Sequence, residues 1–228
     1  MNIALIVFAG SGSRINSAIP KQFIKIKDID LVVYTIRKFE ENPHIDEIVL
    51  VTSKEYLPYV ECYKEKYQLQ KVVKVVEGGS TRQESVRNGL NATSYDEKDN
   101  ILIHDGDRPL VSNAIINQTL MFLDEYDAVT PILKQDERIP EISNSGRIIN
   151  VDGINFDIQT PQGFKYGLIK TTHNDKQNEA VTDDISLVEQ QINVKYFPGE
   201  KENFKVTKDC DLEYVKKALE EQDEKVIR

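Results

Sequence analysis

Short, wholly apolar runs alternate with segments of helical period, and this alternation constrains the fold more than any other feature. Ile3-Ala4-Leu5-Ile6-Val7-Phe8 and Ile48-Val49-Leu50-Val51-Thr52 show no polar alternation, as expected of strands covered on both faces. Val72 to Val76 and Ile101-Leu102-Ile103-His104 read as two further strands. Between them, Leu31 to Glu41 carries Val32, Ile36 and Phe39 at helical spacing, and Tyr56 to Tyr67 and Arg82 to Leu90 read as helices. Strands that alternate with helices pair in parallel through right-handed crossovers. The expected architecture is therefore a three-layer α/β/α sandwich around a mostly parallel sheet.

The alternation lapses at about 134–157. Ile139, Ile142, Ile148, Ile149, Val151 and Ile154 lie among Pro140, Gly146 and Gly153, and Asn144-Ser145-Gly146 suits a hairpin turn. A two-stranded arm projecting from the sheet is expected there. An isolated hairpin is barely stable in water, so the arm needs a surface to pack on, and a second subunit is the expected one. From Thr182 the α/β pattern resumes and closes with a charged helix, Asp211 to Gln222. No repeat or linker divides the 228 residues, so one domain with an arm is expected.

Charge narrows the range of partners. A net charge of −9 argues against a protein that coats nucleic acid, which needs a basic surface. It leaves room for an anionic ligand held by a few converging Lys, Arg and backbone amides. The two cysteines, Cys62 and Cys210, give neither a disulfide framework nor a metal-ligand spacing, which points to reduced thiols. The chain enters its first strand without a basic leader, and that apolar run is too short to cross a bilayer. No membrane association and a cytoplasmic location are expected.

Four groups of residues carry candidate chemistry. The first is Ala9-Gly10-Ser11-Gly12-Ser13-Arg14 with Pro20-Lys21-Gln22. Small residues after a buried strand let backbone amides approach a phosphate, and Arg14 and Lys21 add charge. A Walker A loop would end in Gly-Lys-Ser/Thr, and a dinucleotide loop would have a third Gly or Ala where Ile15 stands. Neither fits, and an ordinary strand-to-helix turn remains the alternative. The second is Gly78-Gly79-Ser80-Thr81-Arg82-Gln83-Glu84-Ser85-Val86. Ser80 or Thr81 can cap the following helix, while Gly79, Ser80 and Ser85 can present donors and acceptors to a base.

The third is His104-Asp105-Gly106-Asp107-Arg108-Pro109, at the carboxyl end of a strand where ligands of open parallel sheets sit. Two carboxylates beside an Arg can hold Mg²⁺ and a phosphate, or can form a local ion pair. The fourth comprises Thr160-Pro161-Gln162, Thr182-Asp183-Asp184 and Asn203-Phe204-Lys205-Val206-Thr207. Singly, each of these reads as a turn, a cap or a solvated charge.

In this order and at these intervals, the motifs resemble the cytidylyltransferases of the 2-C-methyl-D-erythritol 4-phosphate type, a group that includes the ribitol-5-phosphate enzymes. The resemblance runs from about Ile3 to about Leu219. It implies a Rossmann-like fold of nucleotidyltransferase type, a homodimer joined through the β-arm, and Mg²⁺-dependent use of CTP. It also implies in-line attack of an acceptor phosphate on the α-phosphorus, with loss of pyrophosphate. By position in the motifs, Arg14, Lys21 and Lys205 are the expected catalytic cations. Ala9, Gly10, Ser11, Gly12, Gly79, Ser80, Ser85 and Asp105 are the expected nucleotide contacts, with Asp105 also the metal ligand. Asp107, Arg108, Thr182 and Arg138 are the expected acceptor contacts.

The chain also departs from the family's pattern. Gly106-Asp107 stands where the family commonly has two small residues, which adds a negative charge. The basic residue expected some eight positions before Thr160-Pro161-Gln162 is missing, with Asp152-Gly153 in its place. Arg138 and Arg147 on the arm are the candidates to replace it. The CTP half of the site thus reads as intact and the acceptor half as altered, which tilts the reading towards a nonstandard polyol phosphate such as a capsule precursor. Other classes fit less well. A uridylyltransferase does not match the Gly-Gly…Ser85 region. A nicotinamide reductase lacks the third Gly and an acidic residue near Thr52-Ser53. An inactive scaffold has no need to converge Arg14, Lys21, Asp105 and Lys205.

Overall fold

The computed structural model describes residues 1–10, 17, 19–135, 141–142, 148–150, 156–177, 181–189 and 192–226. The first apolar run forms β1 (Asn2–Val7), after which a one-turn 3-10 helix (Lys21–Phe23) leads into a small hairpin of β2 (Lys25–Ile26) and β3 (Ile29–Asp30). Lys27 and Asp28 turn this hairpin with positive φ, at 47° and 64°, as two-residue hairpin loops require. Next come α1 (Leu31–Glu40), β4 (Glu47–Thr52), α2 (Leu57–Glu61), α3 (Tyr63–Lys66), β5 (Val72–Glu77), α4 (Arg82–Asn91) and β6 (Asn100–Asp105). The helix expected over Tyr56 to Tyr67 is therefore divided. Tyr59 and Tyr63 both donate their hydroxyls to the Asp30 carboxylate, at 2.8 and 2.6 Å, which ties this pair of short helices to the start of α1.

The second half contains α5 (Asn113–Phe122), β7 (Ala128–Lys134), β8 (Glu141–Ile142), β9 (Ile148–Asn150), β10 (Phe156–Ile158), β11 (Gln162–Lys165), α6 (Tyr166–Asp175), α7 (Ile185–Val188), β12 (Val194–Pro198) and α8 (Asp209–Val226). The eight-stranded sheet runs β10-β7-β11-β6-β1-β4-β5, with β12 also paired to β7. Pairing is parallel among β5, β4, β1 and β6 and between β7 and β12. It is antiparallel where β10 and β11 meet β7 and where β11 meets β6. Within the expected arm, β8 and β9 pair antiparallel in a sheet of their own; the expected turn at Asn144-Ser145-Gly146 lies outside the described residues.

The period-2 pleat of β1 produces the layers. Ala4 and Ile6 point to one face, in a cluster with Val32, Ile36 and Ile116. Ile3, Leu5 and Val7 point to the other, with Val86, Leu90 and Ile169. Helices α1 and α5 thus cover one side and α4 and α6 the other. A third cluster seats α8 over Leu31 through Leu212, Val215 and Leu219. The chain runs outward from β1 to β4 and β5, then returns to place β6 on the far side of β1. This reversal between β1 and β6 is the switch point beyond which open α/β sheets bind ligands.

Candidate active site

A cleft of about 480 Å³ opens beyond the carboxyl ends of β1, β5 and β6. Its walls include Ala9, Gly10, Lys21, Gly79, Ser80, Ser85, Asp105, Asp107 and Lys205, which stood far apart in sequence. Gln22 supports the β1 loop by donating its side-chain amide to Phe8 O and Gly10 O, at 2.9 and 2.7 Å. Opposite, Gly78 lets the β5 loop come close. A Cβ there would lie 2.5 Å from the Ala9 Cβ and 2.8 Å from the Ser85 Oγ. Thr81, not Ser80, caps α4, taking the Glu84 amide at 3.0 Å. Ser80 instead turns both its amide and its hydroxyl to Glu84 Oε2. The buried Ser85 hydroxyl accepts from Gly79 N and donates to Thr81 O, so it braces the loop expected to face a base.

Asp105 is the electrostatic centre. Its Oδ1 accepts from Arg82 Nε at 2.8 Å and its Oδ2 from Lys205 Nζ at 3.0 Å, while Arg108 Nε lies 3.7 Å from Oδ2. Burial alone would raise this carboxyl. The three cations, led by Arg82, outweigh it and hold the group well below the usual carboxylate range. Arg82 also donates through Nη1 to Asp184 at 2.8 Å, and Asp184 meets His173 Nε2 at 3.0 Å. A chain of polar contacts therefore runs from His173 through Asp184, Arg82 and Asp105 to Lys205. Lys205 is held from the other side. Asp211 accepts the Thr207 and Lys208 amides at 2.7 and 2.8 Å, folding the Lys205–Thr207 segment onto the start of α8.

Strand β11 brings the Thr160-Pro161-Gln162 motif alongside β6. Thr160 Oγ1 accepts the Asp105 amide at 3.1 Å and lies 2.9 Å from His104 Nδ1. Arg108 O, 3.3 Å from Nε2, can only accept, so the proton of the neutral ring sits on Nε2 and Thr160 donates its own proton to Nδ1. Burial pushes the His104 imidazole down to about 3, so the ring is neutral. Gln162 Oε1 takes the Asp184 and Ile185 amides at 2.9 and 3.1 Å and so fixes the loop that carries Thr182.

A second cleft, about 340 Å³, adjoins the first. Arg82, Asp105 and Lys205 line both, and Arg108, Thr160, Thr182 and Asp183 line only the second. Of the expected acceptor contacts, Arg108 and Thr182 face this second cleft. Asp107 does not. It lines the first, with its Oδ2 2.5 Å from Lys21 Nζ. Ser11, Gly12, Arg14 and Arg138 lie outside the described residues. Arg82, Asp184 and His173 were not assigned from sequence. Arg82 and Asp184 sat inside quoted motifs, but nothing in spacing announced that they would meet across 102 residues. His173 carried no sequence signal.

Among the described residues, no three His, Cys, Asp or Glu side chains converge to hold a metal ion unaided. Asp105 suits a hard divalent cation only in company with phosphate oxygens, which is how Mg²⁺ is commonly held on nucleotides. Among the described residues, no helix is long and apolar enough to cross a membrane.

Glycine-permitted loops and two lysines at the switch point of an α/β sheet, with an adjoining polar cleft, define a nucleotide-dependent transferase. The family model for 2-C-methyl-D-erythritol 4-phosphate cytidylyltransferase matches residues 2–221. The chain is 42% identical over 227 residues to the Clostridium novyi (strain NT) protein of that name, with 96% of each chain covered. It is 38% identical to a Clostridium botulinum (strain Okra / Type B1) protein of the same name, covering 92% of this chain and 94% of the other. Among solved structures, 4-diphosphocytidyl-2C-methyl-D-erythritol synthase from Anaerococcus prevotii DSM 20548 superposes with a TM-score of 0.83 at 27% identity, with 96% of each chain covered. The Francisella tularensis 2-C-methyl-D-erythritol 4-phosphate cytidylyltransferase gives 0.77 at 26% identity, covering 94% of this chain and 97% of the other. The chain belongs to the 2-C-methyl-D-erythritol 4-phosphate cytidylyltransferase family and is a CTP-dependent cytidylyltransferase.

Proposed function

We propose that the chain moves the cytidylyl group of CTP onto 2-C-methyl-D-erythritol 4-phosphate and releases pyrophosphate. The observation that carries this reading is the junction of two clefts at one charged wall, Arg82, Asp105 and Lys205. CTP occupies the larger cleft, with its base towards Gly79 and Ser85 and its terminal phosphates towards Lys21. The acceptor phosphate enters the smaller cleft past Arg108 and Thr182. Lys205, on the common wall, then stands where the acceptor oxygen attacks the α-phosphorus. No protein nucleophile is needed, because in-line phosphoryl chemistry is served by positioning and by cations aimed at the crowded phosphorus. Mg²⁺ held by Asp105 together with the phosphates would neutralise charge on the nucleotide.

The tilt towards a nonstandard acceptor drew on the extra charge of Asp107. That carboxylate faces Lys21 in the nucleotide cleft, and this removes one reason for the tilt. The names carried by the two relatives described above favour methylerythritol phosphate over ribitol phosphate. The whole chain acts as one catalytic domain, and two copies pair through the arm around β8 and β9. A panel of nucleoside triphosphates against methylerythritol, ribitol, arabinitol and glycerol phosphates, read by pyrophosphate release, tests the assignment. Turnover with CTP and methylerythritol phosphate is expected. Preference for another polyol phosphate would move the enzyme to another pathway, and no turnover with any pair would revive the scaffold reading.

A further inference from the structure

The ammonium group of Lys21, assigned to the triphosphate, already carries two partners. Its Nζ stands 2.5 Å from Asp107 Oδ2 and donates to Val206 O at 2.6 Å. An ammonium has three protons, so one is left for an incoming phosphate. The Lys21 and Asp107 side chains are only 10% and 11% exposed, so water screens the pair weakly. Among the described residues, the second oxygen of Asp107, Oδ1, is buried without a hydrogen-bond partner and lies 3.8 Å from Lys205 Nζ. One carboxylate thus stands against both lysines expected to hold the nucleotide phosphates. It lines the nucleotide cleft and is absent from the adjoining one.

We infer that Asp107 is an affinity-setting counter-ion of the nucleotide cleft, placed to weaken the hold of Lys21 and Lys205 on polyphosphates. The inference rests on the assignment of CTP to this cleft. An arriving triphosphate must share Lys21 with Asp107 or displace it, and in either case meets a like charge a few ångströms away. At the effective dielectric of such partly buried sites, that repulsion corresponds to a change of about tenfold or more in affinity. Pyrophosphate presents the same oxygens once the cytidylyl group has left, so Asp107 also loosens the product. A weaker grip on the product phosphates speeds product departure. The cytidine portion lies away from this pair, towards Gly79 and Ser85, and is not subject to it.

Calorimetric titration of the 228-residue chain tests this on wild type, Asp107→Asn and Asp107→Ala, with Mg-CTP, Mg-pyrophosphate and cytidine as probes. Both variants are expected to bind CTP and pyrophosphate about tenfold or more tightly, with cytidine affinity within about twofold of wild type. Pyrophosphate should then inhibit turnover at correspondingly lower concentration. Equal or weaker binding of CTP and pyrophosphate, in variants that bind cytidine normally, overturns the inference and makes Asp107 an aligner of Lys21 or a contact of the metal. Cytidine binding reports an intact cleft in each variant, and Asp107→Ala serves if Asp107→Asn fails to fold. Wild-type protein that binds no CTP would sink the nucleotide assignment together with the inference, so the two failures are told apart.

Discussion

Arg82→Ala removes the guanidinium that joins Asp105 to Asp184. Asp184 is 1% exposed and Asp105 9%, while Arg82 itself is 22% exposed. Removing one partner of a buried ion pair costs about 3–5 kcal/mol, because the other charge is left uncompensated. Asp105 keeps Lys205 and Arg108, so most of the cost falls on Asp184, which among the described residues keeps only His173 as a side-chain partner. We expect a loss near the low end, about 3 kcal/mol, which for a chain of this size lowers Tm by roughly 6–12 °C. The pH dependence gives a second check. Burial alone would raise the Asp184 carboxyl, but Arg82 and His173 together outweigh burial and hold it below its ordinary value. A carboxyl depressed in the folded state contributes stability above its unfolded value, about 3.9, and that stability is lost as pH falls through the lower folded value. In the variant burial acts unopposed by Arg82, so the folded state takes up a proton more readily and the difference from wild type narrows as pH falls. Scanning calorimetry at pH 7 and near pH 4 measures both effects. A Tm drop under about 2 °C at pH 7, or an equal drop at both pH values, would refute the assignment of Arg82 as the charge that holds this network.

Three further outcomes are expected. Lys21→Ala and Lys205→Ala should each lower kcat by about two to three decades while far-UV circular dichroism is retained, as for loss of a contact completed in the transition state; kcat within about tenfold of wild type would remove either lysine from the mechanism. Gly78→Ala drives a Cβ against Ala9 and Ser85 and should cost about 1–3 kcal/mol in urea unfolding and raise KM for CTP more than KM for the acceptor. His104→Gln should flatten the fall of stability with acidification. Burial holds the folded imidazole at about 3, so its contribution is full above the unfolded value near 6.5 and is lost as pH falls through the folded value. Urea titrations of both proteins at pH 7 and pH 5 report the slope, and parallel slopes would argue that His104 is not the group concerned.

Much of the fold could be read directly from the sequence. The unbroken apolar runs at Ile3 and Ile48 could only be strands buried on both faces, and α1, α4, β5 and β6 lie within a residue or so of their expected bounds. The antiparallel insertion of β11 between β6 and β7 was not legible, because a four-residue strand carries no sign of its partner's direction. The division of Tyr56 to Tyr67 into α2 and α3 was hidden likewise. A helical period does not report breaks.

For the site, local sequence determined which loops could approach a phosphate. Gly78 and Ala9-Gly10 leave out side-chain bulk, and Lys21 and Lys205 supply charge, and these are properties of single residues in short motifs. What the tertiary structure alone decided is how charges separated by about a hundred residues are shared. Arg82 is bound to Asp105 and Asp184, and Asp107 is turned to Lys21 and away from the second cleft. A carboxylate's role depends on which cation lies within a few ångströms of it in a weakly screened cleft, and that distance is set by the packing of β1, β6 and β11 and not by chain order.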